Sequence, residues 1–483
     1  MVLLRILGFC ILVLLPGTWV TFGLRLKGLS FPIKLLTGMM AGPIVVAAQF
    51  YVLRLLTIPF EWTVLVLVFL NLPVLYLIYR QRERPVWPNR ETLAAGVLVF
   101  LFILAAIAPF LLDAQKRLFT WEAWSQSDVV YSFANGELDL QDAELAGVRL
   151  SYPWVGQVDQ AVTSYLLNTP PASNYIWMNL IWLVGIFAFA AAITAELGGG
   201  PLAQVFTAVW LSFGVNFVGS TVQPLIPASF VKAHITLGNI WGDNRYTPWL
   251  DKIVFFGQMY FGMGIFIAIL YLLIRAWPAG TKRNYIILTG ILMAGLGLIY
   301  PALLPPACIL AGARGLMELF HREDGRPAID WGEILGLALV SVAALALTLV
   351  YTRFLTQYRT GASLINLHPL YFMKWRTIES VVVTSPLLLG LAWVFISQWK
   401  AHRKALVILG LGALGSAILY ILFDIPWWRN EYKYIFTAAI CLAAFPSLAL
   451  EPVLRRLHRL AVPAMLVVMA VLALPFINHI YNE

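Results

Sequence analysis

The sequence predicts an all-α polytopic membrane protein of about 14 transmembrane helices, with one long extracytoplasmic loop that bears surface helices. Three observations carry this reading. Hydrophobic residues make up 60% of the 483 and charged residues only 12%, and mean hydropathy is +0.81, far outside the soluble range. The apolar residues fall in runs long enough to cross a bilayer, which takes about 20 residues at about 1.5 Å rise each. One wet block, residues 113–173, interrupts them. Asp113, Glu122, Asp128, Glu137, Asp139, Asp142, Glu144 and Asp159 are interleaved there with Trp121, Trp124, Tyr131, Tyr152 and Trp154.

The spans read, approximately, as 3–24, 32–56, 59–79, 91–112, 174–195, 201–221, 252–275, 284–299, 301–317, 332–354, 379–398, 404–423, 433–450 and 460–480. The first has Arg5 before an apolar run, the outline of a signal peptide. Gly23-Leu24-Arg25 offers no small-residue cleavage site, so it reads as a retained helix. The eighth and ninth are short and share Pro301, Pro305 and Pro306, which predicts a bent hairpin. The whole reads as a single integral membrane domain over 1–483: N-terminal helices (1–90), a module over 91–275 with outer loops at 113–173 and 222–251, and a C-terminal module over 276–483. The last has outer loops at 355–378 and 424–432.

Basic residues set the orientation. Arg25/Lys27/Lys34, Arg80/Arg82/Arg84/Arg90, Arg275/Lys282/Arg283, Arg314/Arg322/Arg326, Lys400/Arg403/Lys404 and Arg455/Arg456/Arg459 occupy alternate short loops. The positive-inside rule puts these in the cytoplasm. The net charge of +9 is then mostly topogenic, and no nucleic-acid partner is expected. Cys10, Cys308 and Cys441 lie in or near spans and suggest no disulfide framework. The chain has no Asn-x-Ser/Thr sequon, which favours a bacterial inner membrane. Walker, CxxC and HExxH motifs are missing and no GxGxxG follows a strand, so ATP-driven transport, nicotinamide chemistry and zinc hydrolysis have no positive support.

Within the long loop, residues 118–134 have helical character without the apolarity to span. Trp121, Trp124, Asp128 and Tyr131 share one face, with Glu122 on its neighbour. This predicts a helix along the membrane surface with its aromatics at headgroup level. A carboxylate flanked by indole rings suits a sugar, whose C–H faces stack on rings while the acid takes a hydroxyl proton. A turn-rich stretch, 136–154, leads to an amphipathic return helix over about 155–168. Two further clusters face outward: Trp241, Asp243, Arg245, Tyr246 and Trp249 in the second loop, and Asp424 through Tyr434 late in the chain. There Arg429 and Lys433 are i and i+4, with Asn430 between them, at a helix start, a ready anion site.

This constellation resembles the GT-C superfamily, multi-pass glycosyltransferases that take sugars from polyprenyl-phosphate donors at the outer face. The acidic loop is similar to that superfamily's first large outer loop, including the run Leu145-Ala146-Gly147 through Leu150 and Tyr152. The segment 429–436 (RNEYKYIF) is similar to a late helix-start motif in bacterial GT-C-like proteins. The chain departs from the pattern in placing three further helices before the one that leads into the loop, and in lacking an Asp-Glu pair or Asp-x-Asp at the loop entrance. The resemblance implies a base that deprotonates an acceptor hydroxyl, with Glu122 first in line, Asp128 second and Asp113 third. It implies a phosphate held by Arg429 and Lys433, with Arg245 as a partner, and further substrate contacts from Trp121, Trp124, Tyr131 and Asn430. The implied partners are a polyprenyl-phosphate sugar, membrane lipids and a glycan, lipid or protein acceptor. No spacing demands a cofactor or metal, although the loop acids offer oxygen ligands to a divalent ion.

Three rivals remain. A lipid-linked saccharide flippase or other transporter suits the span number, but transporters place ionisable residues at the bilayer midplane, and here the span centres are almost free of them. An O-antigen-type polymerase or ligase usually carries its large loop late in the chain. An assembly role would use the loop aromatics to bind a protein.

Overall fold

A helix at the centre of the protein, Gly257–Ile274, is buried at every position from Met259 to Ile274. Its composition is apolar all round, which only a core helix tolerates. In the computed structural model the described residues are 7–8, 10–80, 90–108, 121–135, 141–142, 145–149, 153–215, 257–320, 322–323, 326–327, 329–356, 365–424 and 432–482.

In chain order, a π-helical turn at Cys10–Leu14 precedes α1 (Thr18–Gly23), α2 (Phe31–Leu55), α3 (Phe60–Asn71), α4 (Pro73–Arg80) and α5 (Arg90–Ala106). The wet block contributes α6 (Trp121–Ala134), a ribbon of β1 (Gln141–Asp142) and β2 (Leu145–Arg149), and α7 (Gln157–Leu167). Then come α8 (Pro171–Glu196), α9 (Pro201–Phe213), the central α10 (Gly257–Ile274), α11 (Lys282–Ile299) and α12 (Leu304–Leu319). A two-residue ribbon, β3 (Arg322–Glu323) and β4 (Arg326–Pro327), leads to α13 (Trp331–Thr356). The chain continues through β5 (Asn366–Leu367), α14 (Leu370–Leu388), α15 (Leu391–Leu422), β6 (Phe423–Asp424), α16 (Lys433–Leu442), α17 (Ala444–Leu457) and α18 (Ala461–Asn482).

The protein is an all-α polytopic membrane protein. Among the described residues, 8 helices are long and apolar enough to cross a membrane, and Leu93–Ala106, Pro201–Phe213, Met259–Ile274 and Ala461–Leu474 are shorter apolar helices. Leu335, Leu339, Val342, Leu349 and Val350 of α13 are all exposed and recur at helical spacing. They form an outward apolar stripe fit for lipid.

Several boundaries differ from the sequence reading. The first span is not continuous, because Pro16 and Gly17 break it between the π-helical turn and α1. Gly17 has φ −69°, so space and not conformation calls for glycine. A Cβ there would sit 2.0 Å from Gly38 O and 2.5 Å from Gly42 N on α2. Two backbones touch at this crossing, as small residues allow in membranes. Gly17→Ala should therefore cost about 1–3 kcal/mol, read as a lowered unfolding midpoint in detergent; an unchanged midpoint would show that the crossing yields freely. Trp19 Nε1 donates to Asn71 Oδ1 at 3.2 Å and Asn71 Nδ2 donates to Gln49 Oε1 at 2.9 Å, tying α1, α2 and α3 together.

The proline hairpin is two helices joined by a 3-10 turn at Pro301–Leu303. The span expected at 379–398 begins earlier, at Leu370, and is interrupted after Leu388, where Gly390 takes φ +79°. α15 merges the end of that span with the next one across a non-helical His402.

The wet block does not lie alone on a surface. Val129, Val130 and Phe133 of α6 and Val158, Ala161 and Val162 of α7 join Ile11, Leu12, Val46, Phe50, Phe60 and Val64 in a second hydrophobic core. The helices that precede the loop are its seat.

Candidate functional site

α13 spans the distance between two polar regions of opposite character. Glu333 lies in its first turn and Tyr351 near its last, about 27 Å apart along the axis at 1.5 Å per residue.

The region around Glu333 is a closed charge network. Arg314 is 1% exposed; its Nε donates to Glu333 Oε1 at 2.6 Å, and Nη1 donates to Leu273 O at 2.5 Å and Arg275 O at 2.7 Å. Its guanidinium lies 3.5 Å from the centre of the Trp277 ring. Lys282 reaches Asp330 at 2.6 Å and Glu333 at 3.2 Å, while Lys404 pairs with Glu318. The Lys282 hydrogen bond holds the Asp330 carboxyl below its ordinary value. Arg275 bonds Glu196 at 2.8 Å, and Glu451 accepts from Gly200 N at 2.8 Å. Arg314 and Lys404 were expected in loops as topogenic charges; both lie in helices, and Arg314 caps the carbonyl end of α10. Opposite charges and helix-end carbonyls converging there offset part of the desolvation that otherwise drives a cation to water.

The Tyr351 end is built differently. Trp154 N donates to Tyr351 OH at 3.1 Å, and the Trp154 ring packs on Tyr51, Phe133 and Tyr351 with centroids 5.4, 5.9 and 5.9 Å away. Gln157 N donates to Trp154 O at 2.8 Å, so Trp154 forms the first turn leading into α7. One face of α7 enters the second core; the other carries Asp159, Gln160 and Thr163, which are 2%, 4% and 0% exposed. Asp159 Oδ1, Gln160 Oε1 and Thr163 Oγ1 are buried without a hydrogen-bond partner. Burial pushes the Asp159 carboxyl up to about 8.

Two more groups lie in the C-terminal half. Lys433 opens α16, is 1% exposed, and holds its ammonium 4.2 Å from the Tyr300 ring centre and 5.5 Å from that of Tyr432. Tyr300 follows the end of α11 that is remote from Lys282. Glu379 of α14 accepts from Tyr420 OH at 2.5 Å and from Arg376 Nη1 at 3.2 Å. β5 pairs with β6, and His368 N donates to Leu422 O at 2.8 Å. Burial and the nearby Arg376 push His368 below its ordinary value, with Asp424 opposing.

Asp128 and Tyr131 of α6 are exposed, on the face turned away from the second core. Trp121, Glu122 and Trp124 fall in α6, but their side chains lie outside the described residues, as do Asp113, Arg245, Arg429 and Asn430 entirely. Lys433, which the sequence pairs with Arg429 in an anion site, is buried against tyrosine rings. Among the described residues, no three His, Cys, Asp or Glu side chains gather as a metal site would require. Asp159 is one of the wet-block acids in the sequence but not one of the expected site residues. No family model matches the chain, and comparison with curated proteins and with solved structures finds no match either.

Proposed function

We propose that the protein is a membrane glycosyltransferase of the GT-C type, moving a sugar from a polyprenyl-phosphate donor to an acceptor at the extracytoplasmic face of a bacterial inner membrane. The observation that carries this reading is the division of polar groups along α13. At the Glu333 end, charges are matched in a closed network. At the Tyr351 end stand a buried acid, aromatic rings and a lysine at a helix start, which are the parts a sugar-phosphate needs. About 14 spans would place the closed network in the cytoplasm and the other end outside, consistent with the basic residues.

In this reading Glu122 deprotonates the acceptor hydroxyl, with Asp128 and Asp113 as the next candidates. The hydroxyl oxygen attacks the anomeric carbon, the bond from that carbon to the phosphate oxygen breaks, and the lipid phosphate leaves. Arg429, Asn430, Lys433 and Arg245 would hold the phosphate, and Trp121, Trp124 and Tyr131 would stack the sugar. A positioned base is worth about 10²–10⁴ in rate. Glu122→Gln should therefore lower sugar transfer from a labelled polyprenyl-phosphate donor by that factor with folding intact. Full transfer in Glu122→Gln, Asp128→Asn and Asp113→Asn alike would overturn the assignment.

The Arg376–Glu379 pair, buried at the middle of α14, is the feature that favours a transporter. Movement of a lipid-linked saccharide across vesicles without transfer, abolished by Glu379→Gln, would replace the enzymatic reading.

A further inference from the structure

The buried face of α7 is an unusual use of polar residues. Asp159 and Thr163 are i and i+4, and Gln160 and Thr163 are i and i+3, so the three form one stripe. Leaving buried oxygens without partners is costly, and an apolar residue at any of the three positions would remove that cost. Three such oxygens on one helix face point to an occupant that completes the hydrogen bonds.

We infer that the Asp159–Gln160–Thr163 stripe is a binding site for a neutral polyhydroxyl group, in this protein a sugar ring. The choice of sugar over other polyols rests on the glycosyl-transfer reading; the site itself does not. The chemistry selects a neutral ligand. Burial alone raises the Asp159 carboxyl, with no neighbouring charge contributing, so at neutral pH it is mostly a protonated acid that donates one hydrogen bond and accepts another. Gln160 supplies an amide and Thr163 a hydroxyl, completing a mixed set of donors and acceptors that matches vicinal hydroxyls. An anion would find no cation in the stripe.

Thermal unfolding of the full chain in detergent at neutral pH tests this, with glucose, galactose, mannose and N-acetylglucosamine each added at tens of millimolar. At least one sugar should raise the midpoint by about 2 °C in the wild type. Asp159→Asn should keep the rise, because an amide imitates the neutral acid, while Asp159→Ala and Thr163→Val should lose it. If Asp159→Ala fails to fold, Thr163→Val carries the comparison. Equal rises in all variants would mean solvent exclusion only, and no rise in the wild type would mean buried water only. A rise with sodium but not choline chloride, abolished by Asp159→Asn, would mean a cation site. Each of these three outcomes overturns the proposal. A sugar-dependent rise in a protein without transfer activity would sink the enzymatic reading and leave the site standing.

Discussion

Replacing Arg314 with methionine is expected to destabilise the protein by about 3–5 kcal/mol, the range found when one partner of a buried ion pair is removed. Arg314 joins α12 to α13 through Glu333 and to the end of α10 through the carbonyls of Leu273 and Arg275. Methionine fills the volume over Trp277 but supplies no donor, so Glu333 loses its shortest partner and two helix-end carbonyls are left unpaired. Lys282 at 3.2 Å and Lys404 at 3.7 Å remain near Glu333, which limits the loss. Arg455→Ala is the control: that side chain pairs with Glu451 but is 70% exposed, and its removal should cost no more than about 1 kcal/mol. Urea or thermal unfolding in detergent reads both. Equal effects would show that the network is solvated and that α12 is held by apolar packing.

The second large effect concerns pH. The Asp159 carboxyl, with an ordinary value of 3.8, is raised by burial to about 8 in the folded protein. The folded state then binds more protons than the unfolded state between those two values, so stability falls as pH rises through that window. The contribution is fully present below the unfolded value and is lost above about 8. Its size is on the order of 5 kcal/mol, at about 1.4 kcal/mol per unit. Asp159→Asn removes the titration, so it should be more stable than the wild type at alkaline pH and should flatten the profile between about pH 5 and 8. Asp330 works in the opposite sense: Lys282 lowers its value, so its contribution is present above the unfolded value and lost as pH falls through the folded one. A wild-type profile as flat as that of Asp159→Asn would show that water reaches the carboxyl.

Much of the architecture is legible in the chain. The return helix expected over about 155–168 is α7, Gln157–Leu167, because Val158, Ala161 and Val162 repeat at helical spacing and Asn168 takes the left-handed conformation that ends it. The span expected at 332–354 is α13, Trp331–Thr356, since nothing in it breaks a helix. What periodicity cannot register is a helix covered on both faces. The polar side of α7 reads as solvated because Asp159, Gln160 and Thr163 are water-seeking residues; only the packing of α2, α6 and α8 around the helix makes them buried. Arg314 misled for a related reason. A count of basic residues treats it as loop charge, although Glu318 four positions later already marks a helical pair. Pro16-Gly17, a turn signal inside an apolar run, was the visible sign that the first span breaks.

We propose that the Tyr351 end of the bundle works on a sugar carried by a lipid phosphate. Native mass spectrometry of the detergent-purified protein tests it most directly, with wild type, Arg429→Ala and Lys433→Met side by side. A co-purifying polyprenyl phosphate or its glycosylated form is expected on the wild type, lost or strongly reduced in both variants. A folded wild type that carries no such lipid, even after incubation with polyprenyl-phosphate sugar, would contradict it.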